Sequence, residues 1–371
     1  MRHFDQLVPP HVRALGAYMP GKSLRQAEKE SGVSCIKLAS NENPFGPSPL
    51  AQEAMRSALG EGNFYPDDNT DSLREALAAK HTLEPNQILV TPGSTGLLNL
   101  SARTFLMPGL NAVTSRLSFI QYQVVTKATG AILIEAPLRD NGFDLDAVAQ
   151  AINPDTRIVF LSNPNNPTGT LFDIAALDRF LDRIPEHVVV VIDEAYYEFA
   201  QFFAEQRHVQ YSRSLDYVRQ GRNVLVLRTF SKAHGLAGLR IGYGMGPAEL
   251  IGYCSGLHVT FSVSSVAQAA ALAALKDEDH IGKTLRNNAE GTQWLFEQLS
   301  EMGFQPVPTW ANFVYCDVGE DSVAVVKRMQ DEGVIIRPLR PWGAPTAIRV
   351  SAGVPDENQQ FVAAFKKVMR R

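Results

Sequence analysis

Little in this chain invites a charged polymer, a membrane or a metal. Its 371 residues carry a net charge of −4 and a sequence pI of about 6.1, so no basic field draws nucleic acid or anionic lipid. No uninterrupted apolar stretch approaches the ~20 residues of a membrane span. The opening Met-Arg-His-Phe-Asp-Gln-Leu-Val-Pro-Pro contains no apolar segment of a signal peptide. The three cysteines, Cys35, Cys254 and Cys316, lie far apart, and the eight histidines show no ligand spacing. That pattern predicts buried thiols in a reducing compartment and no metal centre. A soluble cytoplasmic protein is the expectation.

What is present is a large, ordinary core: 45% of residues are hydrophobic and 20% charged, enough for two lobes. Seven short apolar runs, at 88–90, 112–114, 131–135, 157–161, 188–192, 224–227 and 239–243, alternate with helical patterns such as 72–81, 97–106, 145–152 and 173–183. This alternation predicts an α/β fold with a mostly parallel seven-stranded sheet covered by helices on both faces. Beyond residue 260 the texture changes. A long helical stretch at 263–302 leads to a strand at 312–317, a helix at 321–332, strands at 334–337 and 347–351, and a terminal helix from Pro355. These boundaries predict an N-terminal arm over residues 1–45, a large domain over 46–265 and a smaller α+β domain over 266–371.

In such sheets ligands bind at the carboxyl ends of the strands, and the polar clusters fall there. After the run at 224–227 come Thr229, Ser231, Lys232 and, beyond two glycines, Arg240. A lysine flanked by hydroxyls and followed by an arginine suits an amine that condenses with an aldehyde cofactor beside a phosphate cup. By itself, a lysine after an apolar strand is an ordinary strand end reaching water. Asp193 closes an apolar strand and suits a carboxylate that keeps a pyridine nitrogen protonated; Tyr196 follows within reach of the same ring. Asn166, in Ser-Asn-Pro-Asn-Asn-Pro-Thr-Gly, suits a donor to a phenolate oxygen, although such residues also make simple turns. Gly93, Ser94 and Thr95 link a strand to a helix, where backbone N–H groups bind phosphate. Arg337 and Arg349 suit bidentate capture of an anionic substrate, with surface salt bridges as the alternative.

Two other patterns are weaker. Residues 16–23, Gly-Ala-Tyr-Met-Pro-Gly-Lys-Ser, match a phosphate-loop spacing, and the acidic pair Asp193-Glu194 could serve the Mg²⁺ of an ATPase. The residues before Gly16 are too short and too broken for the required buried strand, and Pro20 lacks an N–H for the cradle. Gly-Tyr-Gly-Met-Gly at 242–246 lacks the spacing of a dinucleotide fingerprint and reads as a turn.

Lysine, aspartate, asparagine and phosphate cup, in this order on one sheet, resemble the fold-type-I pyridoxal-phosphate aminotransferases, over nearly the whole chain. The segments 38–49, Tyr65-Pro-Asp, Asp193-Glu-Ala-Tyr, Ser231-Lys-Ala and Ala347-Ile-Arg-Val-Ser carry the likeness, which is nearest to the histidinol-phosphate branch. The resemblance implies pyridoxal 5′-phosphate as cofactor and Lys232 as its Schiff-base lysine and proton shuttle. It further implies Asp193 on the pyridinium, and Asn166 with Tyr196 on the phenolate oxygen. Gly93, Ser94, Thr95, Thr229, Ser231 and Arg240 surround the phosphate. Tyr65 reaches the cofactor phosphate of a neighbouring subunit, so a homodimer follows. Tyr18, Asn43, Arg337 and Arg349 match substrate-gripping positions. Where many relatives stack a tyrosine on the ring, this chain has Phe119, which keeps the π-face but not the hydroxyl. The implied reaction is transamination between histidinol phosphate and 2-oxoglutarate in histidine biosynthesis. An aromatic aminotransferase and a phosphothreonine-type decarboxylase are the alternatives on the same scaffold.

Overall fold

Runs that are apolar at consecutive positions, such as Val-Val-Val-Val-Ile at 188–192, suit strands covered on both faces. The computed structural model describes residues 4–15 and 23–370, so Tyr18 and most of the loop at 16–23 lie outside the described residues. In chain order the strands are β1 (Ile36–Lys37), β2 (Ile88–Thr91), β3 (Asn111–Ser115), β4 (Ile132–Ala136), β5 (Leu138–Arg139), β6 (Gly142–Phe143), β7 (Thr156–Ser162) and β8 (Val189–Asp193). They continue with β9 (Val224–Thr229), β10 (Gly242–Met245), β11 (Gln305–Val307), β12 (Phe313–Asp317), β13 (Val334–Ile335), β14 (Arg337–Pro338) and β15 (Ala347–Ser351).

Strands β2, β10, β9, β8, β7, β3 and β4 lie side by side in that order as one seven-stranded sheet. Only β10 runs against its neighbours in this sheet. Side chains alternate between its faces. Val190, Ile192, Val224 and Val226 enter one apolar core, while Val189, Val191, Leu225 and Leu227 enter another. The first core includes residues of helices Asp71–His81, Ile174–Leu181 and Ser265–Ala274, the second those of Ser94–Phe105 and Gln121–Ala128. Parallel pairing brings the ends of β7, β8 and β9, with the turn after β2, to one edge.

A second sheet, β11-β12-β15-β14, is antiparallel. Together with helices Glu278–Glu301, Ser322–Asp331 and Pro355–Met369 it encloses its own core. The chain's early segment belongs to this lobe: β1 pairs with β13, and Leu38 enters the same core.

Four expectations change. The stretch at 263–302 is two helices, because Asp277 caps the second by accepting the His280 N–H at 3.2 Å. The strand at 334–337 divides into β13 and β14, which pair in different sheets. The strand at 239–243 begins only at Gly242, since Ala237–Leu239 is a 3₁₀ turn and Arg240 has φ 53°. The boundary at 265 also shifts. Ala267, Ala270, Ala271 and Ala274 pack into the core of the seven-stranded sheet, so the division between lobes falls after that helix. Among the described residues no helix is long and apolar enough to cross a membrane.

One buried ion pair ties β8 to β9. Glu194, 1% exposed, accepts two hydrogen bonds from Arg228, 2% exposed, at 3.0 and 2.8 Å. Its other oxygen accepts from Ser212 and Ser214 at 2.5 and 2.9 Å. Removing one partner leaves the other charge buried and uncompensated. Glu194→Gln is therefore expected to lower folding stability by about 3–5 kcal/mol, measured by urea denaturation.

Candidate active site

A cavity of about 250 Å³ opens where the carboxyl ends of β7, β8 and β9 meet the second lobe. Asp193, the last residue of β8, is 3% exposed. Its Oδ2 accepts from the Tyr122 hydroxyl at 3.0 Å and its Oδ1 from the Ala195 N–H at 3.1 Å. Burial pushes the carboxyl up to about 6, against the pull of these two hydrogen bonds. Tyr122 is itself fully buried and stacks on Phe160 with centroids 4.9 Å apart.

The end of β9 forms the anion-binding side. The Thr229 hydroxyl accepts the Ser231 N–H at 3.1 Å and lies 3.0 Å from the Ser231 hydroxyl. Arg240 donates to Ser231 Oγ at 3.4 Å and to the Ala237 carbonyl at 3.0 Å. Across from them, helix Ser94–Phe105 begins at Ser94, three residues before the expected start, with Gly93 as N-cap. A Cβ on Gly93 would lie 2.6 Å from Arg240 Nη2 and the residue has φ 71°, so only glycine lets the arginine lie across this turn. The unpaired N–H groups of a helix start, two hydroxyls and a guanidinium thus converge on one spot, which suits a phosphate.

Lys232 stands between the two sides, its Nζ donating to the Ser40 carbonyl at 3.1 Å. Burial first, then the positive charge of Arg349, brings its amine down to about 8. Facing it, the Tyr196 hydroxyl oxygen accepts from Asn41 Nδ2 at 2.8 Å and from Asn166 Nδ2 at 3.3 Å. Burial raises the Tyr196 phenol and Arg349 opposes that rise. Arg349, 5% exposed on β15, donates to Asn166 Oδ1 and, at 2.9 Å, to the Ala39 carbonyl. Phe119 lines the cavity and meets Tyr122 edge-on at 5.7 Å.

The fold therefore gathers Ser94, Thr95, Phe119, Asn166, Asp193, Tyr196, Thr229, Ser231, Lys232 and Arg240 around one space. Three expected positions lie elsewhere. Asn43 is not a cavity residue. Its Nδ2 donates to the Ala233 carbonyl and Thr284 Oγ1 at 2.8 and 3.1 Å, and its Oδ1 accepts the Phe45 N–H. It clamps the chain beyond the lysine to helix Glu278–Glu301 rather than facing a substrate. Arg337 pairs directly opposite Arg349 on β14, with its guanidinium 4.9 Å from the centre of the Trp342 ring. Tyr65 is 81% exposed and stacks on Phe261 at 4.5 Å, away from this chain's own cavity.

Sequence reasoning assigned no role to Tyr122, Asn41 or Glu42. Tyr122 lies 71 positions before the carboxylate it touches, and nothing local signals that contact. Glu42 reaches the cavity wall and pairs with Lys37 at 2.7 Å. The parts of the ATPase pattern that are described have other partners. Ser23 caps helix Leu24–Ser31 by accepting the Gln26 N–H, and Glu194 is paired with Arg228.

Comparison with known proteins agrees with this geometry. Residues 33–365 match the family model described as aminotransferase class I and II. A Pseudomonas fluorescens protein named histidinol-phosphate aminotransferase 2 is 42% identical, covering 100% of this chain and 99% of its own. A Moorella thermoacetica histidinol-phosphate aminotransferase is also 42% identical, over 96% and 92%. The crystal structure of the Sinorhizobium meliloti histidinol-phosphate aminotransferase in complex with pyridoxal-5′-phosphate superposes with a TM-score of 0.88. It is 30% identical and covers 98% of this chain and 97% of that one.

The lowered amine makes a direct expectation. The neutral form of Lys232 is the nucleophile, so its reaction with an amine-directed reagent should rise with pH through a midpoint near 8 rather than near the ordinary 10.5. Peptide-resolved mass spectrometry across pH reads this at the single lysine.

Proposed function

Since the chain belongs to the class I and II aminotransferases, we propose that it transfers an amino group between L-histidinol phosphate and 2-oxoglutarate with pyridoxal 5′-phosphate as cofactor. The products are imidazole-acetol phosphate and L-glutamate, in histidine biosynthesis. The observation that carries the chemistry is the convergence of a buried acid, two ring-oxygen donors, a lowered lysine and an anion cup in one cavity. Full-length relatives at 42% identity carry the choice of substrate.

The residues fit the cofactor. The helix start at Ser94 and Thr95, above Gly93, with Thr229, Ser231 and Arg240, would hold the phosphate. Phe119 would cover a ring face, Asn166 and Tyr196 would meet the ring oxygen, and Lys232 would supply the amine for covalent attachment. Bound pyridoxal phosphate supplies an electron-accepting ring that stabilises negative charge on the substrate carbon. Asp193 would keep the ring nitrogen protonated: burial, against its two hydrogen bonds, pushes its carboxyl up to about 6, and a cation held against it favours the ionised form. Lys232, brought down to about 8, is poised near neutrality to take a proton from the amino-bearing carbon and return it. Burial of Tyr196, Asp193 and Arg349 keeps water from that transfer. Arg349, buried beside Asn166, would meet the phosphate of one substrate or the carboxylate of the other.

The active unit is a homodimer in the cytoplasm. Phe64, Tyr65, Val259 and Phe261 are large apolar groups 70%, 81%, 67% and 43% exposed, with Tyr65 stacked on Phe261. A second copy that covers this patch brings Tyr65 towards its cofactor phosphate. The three buried free thiols suit a reducing compartment.

Steady-state rates with histidinol phosphate and with phenylalanine, both against 2-oxoglutarate, test the substrate. Histidinol phosphate is expected to give the higher kcat/KM; a preference of about a hundredfold for phenylalanine, ~2.7 kcal/mol of transition-state binding, overturns the assignment. Lys232→Ala should lower turnover more than about a thousandfold with an unchanged circular-dichroism spectrum. Sedimentation at micromolar concentration should give twice 40.7 kDa.

A further inference from the structure

We infer that Asn41 is a positioning residue that fixes the direction of the Tyr196 hydroxyl proton, aiming it into the cavity at the ring oxygen of the cofactor. The inference rests on the cofactor reading above and assigns a role to a residue outside the set already described for the reaction.

The argument is one of donors and acceptors. The Tyr196 oxygen lies 2.8 Å from Asn41 Nδ2 and 3.3 Å from Asn166 Nδ2. The two ends of an amide are alike in shape, so their remaining partners must decide which end faces the phenol. For Asn166 the partner is Arg349, whose guanidinium only donates; it meets Oδ1, which turns the nitrogen to Tyr196. For Asn41 the partner is Ser351. Its Oγ accepts the Asn41 backbone N–H at 2.9 Å, and its hydroxyl donates to Asn41 Oδ1, also at 2.9 Å. The nitrogen of Asn41 therefore faces Tyr196 as well.

Two N–H donors on one phenol oxygen leave no acceptor for its proton on that side. Asn41, Ser351 and Tyr196 are 1%, 4% and 3% exposed, so water does not take it either. The direction that remains is the cavity, which Tyr196, Asn166 and Lys232 all line. Asn41 is held for this task from the second lobe. Its carbonyl accepts from Asn312 Nδ2 at 3.1 Å, its N–H and side chain both bind Ser351 of β15, and its φ is 56°. The charged groups around the phenol are Arg349, Asp193 and Lys232, the last 5.8 Å from its ring centre. Lys232 in turn senses Arg349, Glu42, Arg240 and Asp193. All of these stay constant across the variants below.

A proton donated to the ring oxygen favours its ionised form and lowers the pH at which the visible spectrum of the loaded enzyme changes. Asn41→Asp places an acceptor where the amide donates, so the Tyr196 proton turns away from the cavity. The spectral midpoint is expected to rise by about one pH unit. In a Tyr196→Phe background the same substitution should shift the midpoint by less than about a third of that, because no hydroxyl remains to turn. Ser351→Ala, which adds no charge and releases the lock on the Asn41 amide, should raise it by about 0.3 unit. Equal shifts with and without the Tyr196 hydroxyl mean that Asn41→Asp acts by charge alone, and they overturn the inference. If Asn41→Asp does not fold, as judged by circular dichroism, Ser351→Ala decides: a rise supports the inference and an unchanged midpoint overturns it. A parent protein that stays colourless with added pyridoxal phosphate overturns the proposed function and this inference together; a coloured parent with equal shifts overturns the inference alone.

Discussion

The burial of Asp193 is the constraint on which the site depends. A carboxylate at the end of a strand enclosed on both faces is costly unless its oxygens are bonded or a cation stands beside it. The Tyr122 hydroxyl and the Ala195 N–H supply the bonds, and burial still pushes the group up to about 6. The protein keeps an acid in a dry place, where a cationic partner favours its ionised form. Its chain neighbour, Glu194, is equally buried but meets Arg228 inside the protein. Adjacent residues of an extended chain point to opposite sides, so two consecutive acids serve two ends: one holds β8 to β9, the other faces the cavity.

The second constraint is that the cavity is shared between lobes. Ser40 and Ala39 take hydrogen bonds from Lys232 and Arg349. Asn41 and Asn166 meet on Tyr196, and Arg349 of β15 bonds Asn166, which follows β7. Arg349, Asn166, Tyr196 and Asn41 are thus successive links in one buried polar network. Satisfied networks of this kind are rigid, and each member's orientation depends on the next. The segment around 38–43, which the sequence places in the N-terminal arm, threads through this network directly after β1, which pairs with β13 in a two-stranded sheet.

Much of the fold was legible because its signals are local. Consecutive apolar runs marked the seven strands of the large sheet, and polar clusters after them marked its binding edge. Errors fell where a tertiary partner decided the outcome. The run at 334–337 is continuous in sequence, yet β13 pairs with β1 and β14 with β15. Helix Ser265–Ala274 follows the large domain in sequence but completes its core. Of the cavity wall, Lys232, Asp193 and Asn166 were legible as polar residues that follow strand ends. Asn43 was misplaced because two asparagines flank Glu42, and only the packing distinguishes the one that reaches Tyr196 from the one that clamps Ala233.

By itself, then, the sequence determined which side chains leave the sheet at its carboxyl edge: alternation, strand length and turn residues are properties of neighbours along the chain. The tertiary structure alone decided which way those side chains' hydrogen bonds run. Tyr122 reaches Asp193 across 71 positions and Ser351 reaches Asn41 across 310. A donor's direction depends on every partner of its acceptor, and those partners come together only when both lobes are folded.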